Sequence, residues 1–198
     1  DFDLLVASPN ASDSVYAALA ATTGTARISI VDSLLAGIAL AGTASYANSD
    51  GRARPSLDLL AGGNHLQLEG TMAVLGASND DWRIVVDAPR LDALAPLLAA
   101  PARTDVARHA ATAPSGSLVA HGHVAGRWPD VSSDGDLQAK ALRVEGVSVR
   151  QASGRWRLAS GNDGTLDGHV VLDGVDAGGR AFDRVQADLS GTRRSHRA

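Results

Sequence analysis

Cysteine is absent from the chain. That removes disulfides, thiolate metal sites and a cysteine nucleophile together, and it fits a reducing or an oxidising compartment equally well. Aromatic residues are scarce, at 4% against 44% hydrophobic residues overall. A sealed core reaches a packing density of about 0.74 mostly with bulky side chains. A chain rich in Ala, with 21 Gly, can instead leave an apolar surface open, although a genomic bias toward Ala, Gly and Arg accounts for the same figures. Long hydrophobic runs are missing too: the most apolar window, Leu34 to Gly42, falls far below the roughly 20 residues of a spanning helix. Nor is there a basic surplus. The balance of 18 Lys and Arg against 22 Asp and Glu leaves a formal charge of −4, which argues against nucleic acid as a partner. The locally basic stretch Arg193-Arg194-Ser195-His196-Arg197 reads as a solvated end. The chain starts at Asp1 without a signal-like segment and is expected to be an excised piece of a longer protein.

Catalytic signatures are missing as well. There is no G-x-S-x-G elbow, no phosphate loop ending in Gly-Lys-Ser/Thr and no His-Glu-x-x-His helix. His121-Gly122-His123 puts two imidazoles on one strand face, as metal ligands sometimes are, but outward polar alternation explains them as well. Asn162-Asp163-Gly164 and Asp167-Gly168 fit hairpin turns better than a calcium loop. The expectation is therefore a protein that is not an enzyme and needs neither metal nor cofactor.

What the sequence does carry is alternation, the mark of strands with one buried face. Leu66, Leu68, Gly70, Met72 and Val74 oppose His65, Gln67 and Glu69; Trp82, Ile84 and Val86 oppose Arg83 and Asp87. Leu118, Ala120, Gly122 and Val124 oppose His121 and His123, and Leu166, Val170 and Leu172 oppose Asp167, His169 and Asp173. Val185, Ala187 and Leu189 oppose Arg184, Gln186 and Asp188. One segment changes phase, from Leu137 and Ala139 to Leu142 and Val144, which predicts a bulge near Lys140 to Ala141. Turn signals at Asn48 to Gly51, Gly62-Gly63-Asn64, Ser78 to Asp81, Gly161 to Gly164 and Gly178-Gly179 are spaced for antiparallel hairpins. Two stretches read as short helices: Ser12 to Ala21, and Pro89 to Leu98, the latter kinking or ending at Pro96.

The fold class is thus mainly β: a long antiparallel-rich sheet with one or two short helices, more than about 45 per cent strand and under about 15 per cent helix. Residues 1–98 form a first strand block, with helices near 12–21 and 89–98. Residues 99–115 form a loop, and residues 116–198 a second block continuing the same surface.

Several stretches taken in order resemble a known family. Asp32-Ser33-Leu34-Leu35-Ala36-Gly37 leads into a strand ending Leu40 to Thr43. Leu57-Asp58-Leu59-Leu60-Ala61-Gly62-Gly63-Asn64 is followed by Leu66 to Gly70, then by Trp82 to Val86 and Asp87-Ala88-Pro89-Arg90-Leu91. Gly116-Ser117-Leu118, Gly126-Arg127-Trp128-Pro129 and Leu189-Ser190-Gly191-Thr192 come after. From about Thr25 to His196 this order resembles the TamB family of AsmA-like proteins, subunits of the translocation and assembly module of the Gram-negative envelope. The resemblance implies a sheet curled into an open apolar trough, within a protein anchored in the inner membrane and spanning the periplasm. It implies phospholipid acyl chains as cargo, outer-membrane biogenesis as the process, a TamA-like outer-membrane barrel as partner, and no catalytic residues. The expected groove face is Leu66, Leu68, Met72, Ile84, Val86, Leu118, Val124, Val170, Leu172, Val185 and Leu189. The competing reading is an interaction module that assists barrel or autotransporter assembly by strand pairing.

Overall fold

Alternation of this kind leaves little room for anything but strands. The computed structural model describes residues 2–6, 22–49, 51–73, 79–99, 114–127, 130–161, 163–192 and 194–197, and 82% of the described residues are strand. The strands are β1 (Phe2–Val6), β2 (Thr22–Leu35), β3 (Ile38–Ser49), β4 (Arg52–Ala61), β5 (Asn64–Ala73) and β6 (Asp80–Ala88), followed by β7 (Ser115–Arg127), β8 (Asp130–Val144), β9 (Val147–Leu158), β10 (Thr165–Ala177), β11 (Arg180–Thr192) and β12 (His196–Arg197). They form one sheet in which every strand pairs antiparallel with its neighbour in sequence, from β1 to β12. The sheet is curled and open: β1 and β12 end it on opposite sides and do not meet. Because β6 pairs directly with β7, the two strand blocks are one surface. With neighbouring strands about 4.8 Å apart, it runs for about 50 Å across the strands.

One long edge is made of tight two-residue turns. Ala36-Gly37, Gly62-Gly63, Glu145-Gly146 and Gly178-Gly179 all have both residues at positive φ, the mirror-image turn whose twist matches that of the paired strands. A glycine pair adopts it without steric cost, which is why Gly62-Gly63 and Gly178-Gly179 are readable in advance.

The bulge expected near Lys140 to Ala141 is present. Pairing shifts by one residue between Ser115 and Ser117 of β7, and Ala141 lies at φ 50°. The dislocation continues into the neighbouring strands, where Gly174 is at φ 62°. Beyond it Leu142, Val149, Val175 and Phe182 stand in one row, and Val149 and Val175 cluster with Ala139 and Ala152. A one-residue slip flips faces, so this line restores the apolar face after the phase change. A second shift lies between Ile30 and Ser33 of β2, with Asp32 at φ 47°.

The helix expected over 89–98 is found as a 3₁₀ turn, Leu91–Leu94, followed by one α turn, α1 (Ala95–Ala99). Pro96 opens α1 instead of ending it. In the first turn of a helix the missing N–H has no intrahelical partner to lose, and the fixed φ suits the start. The helix expected over 12–21 and residues 100–113 of the expected loop lie outside the described residues.

The segment after β6 folds over the edge of the sheet. Asn64, only 5% exposed, donates to the Ala61 and Arg90 carbonyls at 3.1 and 2.9 Å and accepts from the Arg90 N–H at 3.0 Å. A side-chain Cβ at Gly62 would meet Ala93 and Ile38, so the 3₁₀ turn lies against this corner. Ile38, Ala61 and Ala88 are buried nearby. Elsewhere burial is shallow. Among the described residues no large side chain is fully buried, and the buried apolar residues are Ala, Val and one Ile. Most globular domains pack two layers around a core; here a single sheet supplies nearly all the described structure.

Candidate functional site: an apolar face

Residues directly opposite in antiparallel strands point to the same side of the sheet, so the register can be read across the molecule as rows. One row runs Ile30, Gly42, Leu59, Leu66, Val86, Ala120, Leu137, Gly154, Val170, Ala187, one residue from each of β2 to β11. The next row on the same face is Ile28, Ala44, Leu57, Leu68, Ile84, Gly122, Gly135, Trp156, Gly168, Leu189. Neither row contains a polar side chain.

All eleven expected face residues share this side. Leu66, Val86 and Val170 stand in the first row and Leu68, Ile84 and Leu189 in the second. Met72 is opposite Ala53, Val124 opposite Trp82, Leu118 opposite Ala88 and Ala139, and Leu172 opposite Ala152 and Val185. Most are half-buried; Val170 and Val185 are 38% exposed. The expectation set omitted Leu57, Leu59, Leu137, Trp82 and Trp156. In Leu57-Asp58-Leu59-Leu60 the apolar Leu60 masks the period. Leu60 turns to the other face, opposite Ala41 and His65.

The glycines of the face differ in what stands over them, and at Gly42 it is the Asp58 carbonyl of the neighbouring strand. At Gly70 an added Cβ would run into the Trp82 ring, and at Gly135 into the Trp156 ring. Each indole therefore lies across the glycine of the preceding strand. Trp156 is further held by its Nε1–H, which donates to Ser133 Oγ at 3.0 Å. At Gly122, Gly154 and Gly168 an added Cβ would meet only ordinary contacts, so the packing does not require glycine there. On this face the buried Tyr46 hydroxyl has no hydrogen-bond partner among the described residues, and burial pushes its pKa up.

The opposite face is polar, as expected for His65, Gln67, Arg83, His121, His123, Asp167, Arg184 and Asp188. Its central row is Ser29, Thr43, Asp58, Gln67, Val85, His121, Asp136, Arg155, His169, Asp188. Four histidines contact aspartates across strands: His65 on Asp58 at 2.9 Å, His121 on Asp136 at 3.3 Å, His169 on Asp188 at 2.6 Å, and His123 on both Asp81 at 3.0 Å and Asp134 at 3.3 Å. Hydrogen bonds from Gln67 and His65 hold Asp58 below its ordinary pKa, and those from His169 and Gln186 do the same for Asp188. His121 and His123 thus turn to carboxylates, and among the described residues no three His, Asp or Glu side chains form a metal-ligand set. This face is not uniformly polar: Val31 and Leu34, near the β2 irregularity, are 71% and 74% exposed.

Among the described residues no helix is long and apolar enough to cross a membrane. Comparison with known proteins finds no family model, no curated protein and no solved structure that matches this chain.

Proposed function

We propose that this chain is a segment of a TamB-like, inner-membrane-anchored protein of the periplasm, whose apolar β face conducts phospholipid acyl chains toward the outer membrane. In this reading it is not an enzyme, and in the whole protein its barrel partner is TamA-like. The observation that carries the proposal is the pair of apolar rows, ten strands long and free of polar side chains, on a face without a second layer of described structure. A sheet with one apolar face has to cover it or use it. Each buried CH₂ group contributes roughly 0.8 kcal/mol, so an acyl chain lying along the rows is held by many equivalent contacts while its headgroup stays in water. Equivalent contacts also let it slide.

Trp82 and Trp156 report on the face directly. Phosphatidylglycerol brominated on its acyl chains should quench each tryptophan in variants that retain only that one. If neither is quenched while the protein remains folded, lipid does not occupy the face.

One observation favours a second reading. Among the described residues β11 is paired on its outer side only at Ser190 and Gly191, by β12, leaving an edge able to accept a strand. Crosslinks to client proteins concentrated on β11, with no lipid on the face, would put strand pairing first.

A further inference from the structure

β6 and β7 are joined by residues 89–114, the longest connection between paired strands, so closing this pair carries the largest loop-entropy cost in the sheet. His123 of β7 lies in this strand pair, opposite Arg83 and toward the end away from the connection, with a carboxylate on each side. Its Nε2 is 3.0 Å from Asp81 Oδ2 on β6, and its Nδ1 is 3.3 Å from Asp134 Oδ1 on β8. An ionised carboxylate only accepts hydrogen bonds, and a neutral imidazole has one N–H to donate; only the imidazolium donates from both nitrogens. His65, His121 and His169 each turn a single ring nitrogen to a carboxylate, which either protonation state can satisfy.

We infer that His123 is a proton-dependent clasp between the two strand blocks: as an imidazolium it holds β6 and β8 to β7 at once, and as a neutral ring it holds only one of them. The surrounding charges bear on the balance. Arg83, directly opposite on β6, and His121, two residues along β7, oppose a positive ring. Asp81, Asp134 and the neighbouring Asp136 favour it, and Arg157 of β9 draws on Asp134 from the far side. The two carboxylates in contact prevail, Asp81 before Asp134, and hold the imidazole's pKa above its ordinary value. A group raised in this way stabilises the fold fully below its unfolded pKa, about 6.5, and that contribution is lost as pH rises through the folded value.

The test follows the whole chain from pH 6 to 8 in two ways: NMR titration of the His123 ring, and amide-exchange protection, corrected for intrinsic rates, in β6–β7 and β3–β4. His123 should titrate above the ordinary histidine value. Protection in β6–β7 should fall several-fold as pH rises, while β3–β4 holds. Asp81→Asn lets a neutral ring donate to Asp134 and accept from the new amide, so it should lower the His123 titration point and flatten the β6–β7 profile; His123→Gln should flatten the profile as well. Titration of wild-type His123 at or below about 6.5, or an undiminished pH-dependent loss of protection in His123→Gln, overturns the clasp. The titration alone decides the matter if a variant fails to fold.

Discussion

Glycines on the apolar face look alike in sequence and differ in what stands over them. Gly135 lies under the Trp156 ring, whereas Gly168 sees only the Leu189 Cβ at contact distance. Glycine in a strand interior costs roughly 0.5–1 kcal/mol relative to alanine, and an overpacked site typically costs 1–3 kcal/mol. Gly135→Ala should therefore destabilise the protein by about 1–3 kcal/mol and displace Trp156, visible in its fluorescence. Gly168→Ala should be neutral or stabilising by up to about 1 kcal/mol in urea unfolding. Equal losses from both would mean that Gly168 has a backbone role the φ angles do not reveal. The distinction was hidden in the sequence because Trp156 comes opposite both glycines, and only the side its ring leans to, over Gly135 and away from Gly168, separates them. Alternation alone was enough to place Leu68 or Val124 on a face, since that is a property of a single strand.

At the scale of elements, legibility followed local chemistry. Gly62-Gly63 and Gly178-Gly179 announced their turns, but Ala36-Gly37 and Glu145-Gly146 did not, since Ala and Glu enter the left-handed region only at a cost of about 1–2 kcal/mol. The strands on either side impose that conformation. Glu145→Asn, which suits this turn type, should stabilise by several tenths of a kcal/mol; a lower denaturation midpoint would show that Glu145 contributes something beyond its turn. The bulge was readable because Leu137 and Leu142 differ in parity, while its continuation to Gly174 required the sheet. Pro96 was misread because a proline marks the first turn of one helix as readily as the end of another. The corner where the 3₁₀ turn meets the sheet rests on Asn64, two of whose hydrogen bonds tie β5 to the Arg90 backbone while the third goes to the Ala61 carbonyl at the end of β4. Asn64→Ala leaves those buried groups unsatisfied, at about 1–3 kcal/mol. Amide exchange should accelerate first at the 3₁₀ turn; unchanged protection there would mean that packing against Ile38 and Ala88 is sufficient.

At the scale of the whole molecule the question is whether the apolar face is a conduit or a core awaiting cover, and a charge placed in its middle separates the two. Leu68 lies in the second row, and Val124 stands beside Trp82. On an open face a long side chain such as that in Leu68→Arg keeps its stem on the apolar surface and its guanidinium in water, so the folding cost is modest. In a dry core the same unpaired charge would be severely destabilising. Val124→Asp places a shorter charge by the same logic. For a sliding acyl chain the barrier is of another kind: it must cross a hydrated spot and give up several CH₂ contacts at about 0.8 kcal/mol each. The expected outcome is a protein that melts within a few degrees of the wild type, no longer shows acyl-chain quenching on the far side of the substitution, and does not complement when the change is carried in the full-length protein. A collapse in stability would instead identify a covered core. Normal melting with full complementation would mean that nothing travels along this face, and the outer edge of β11 would become the functional surface.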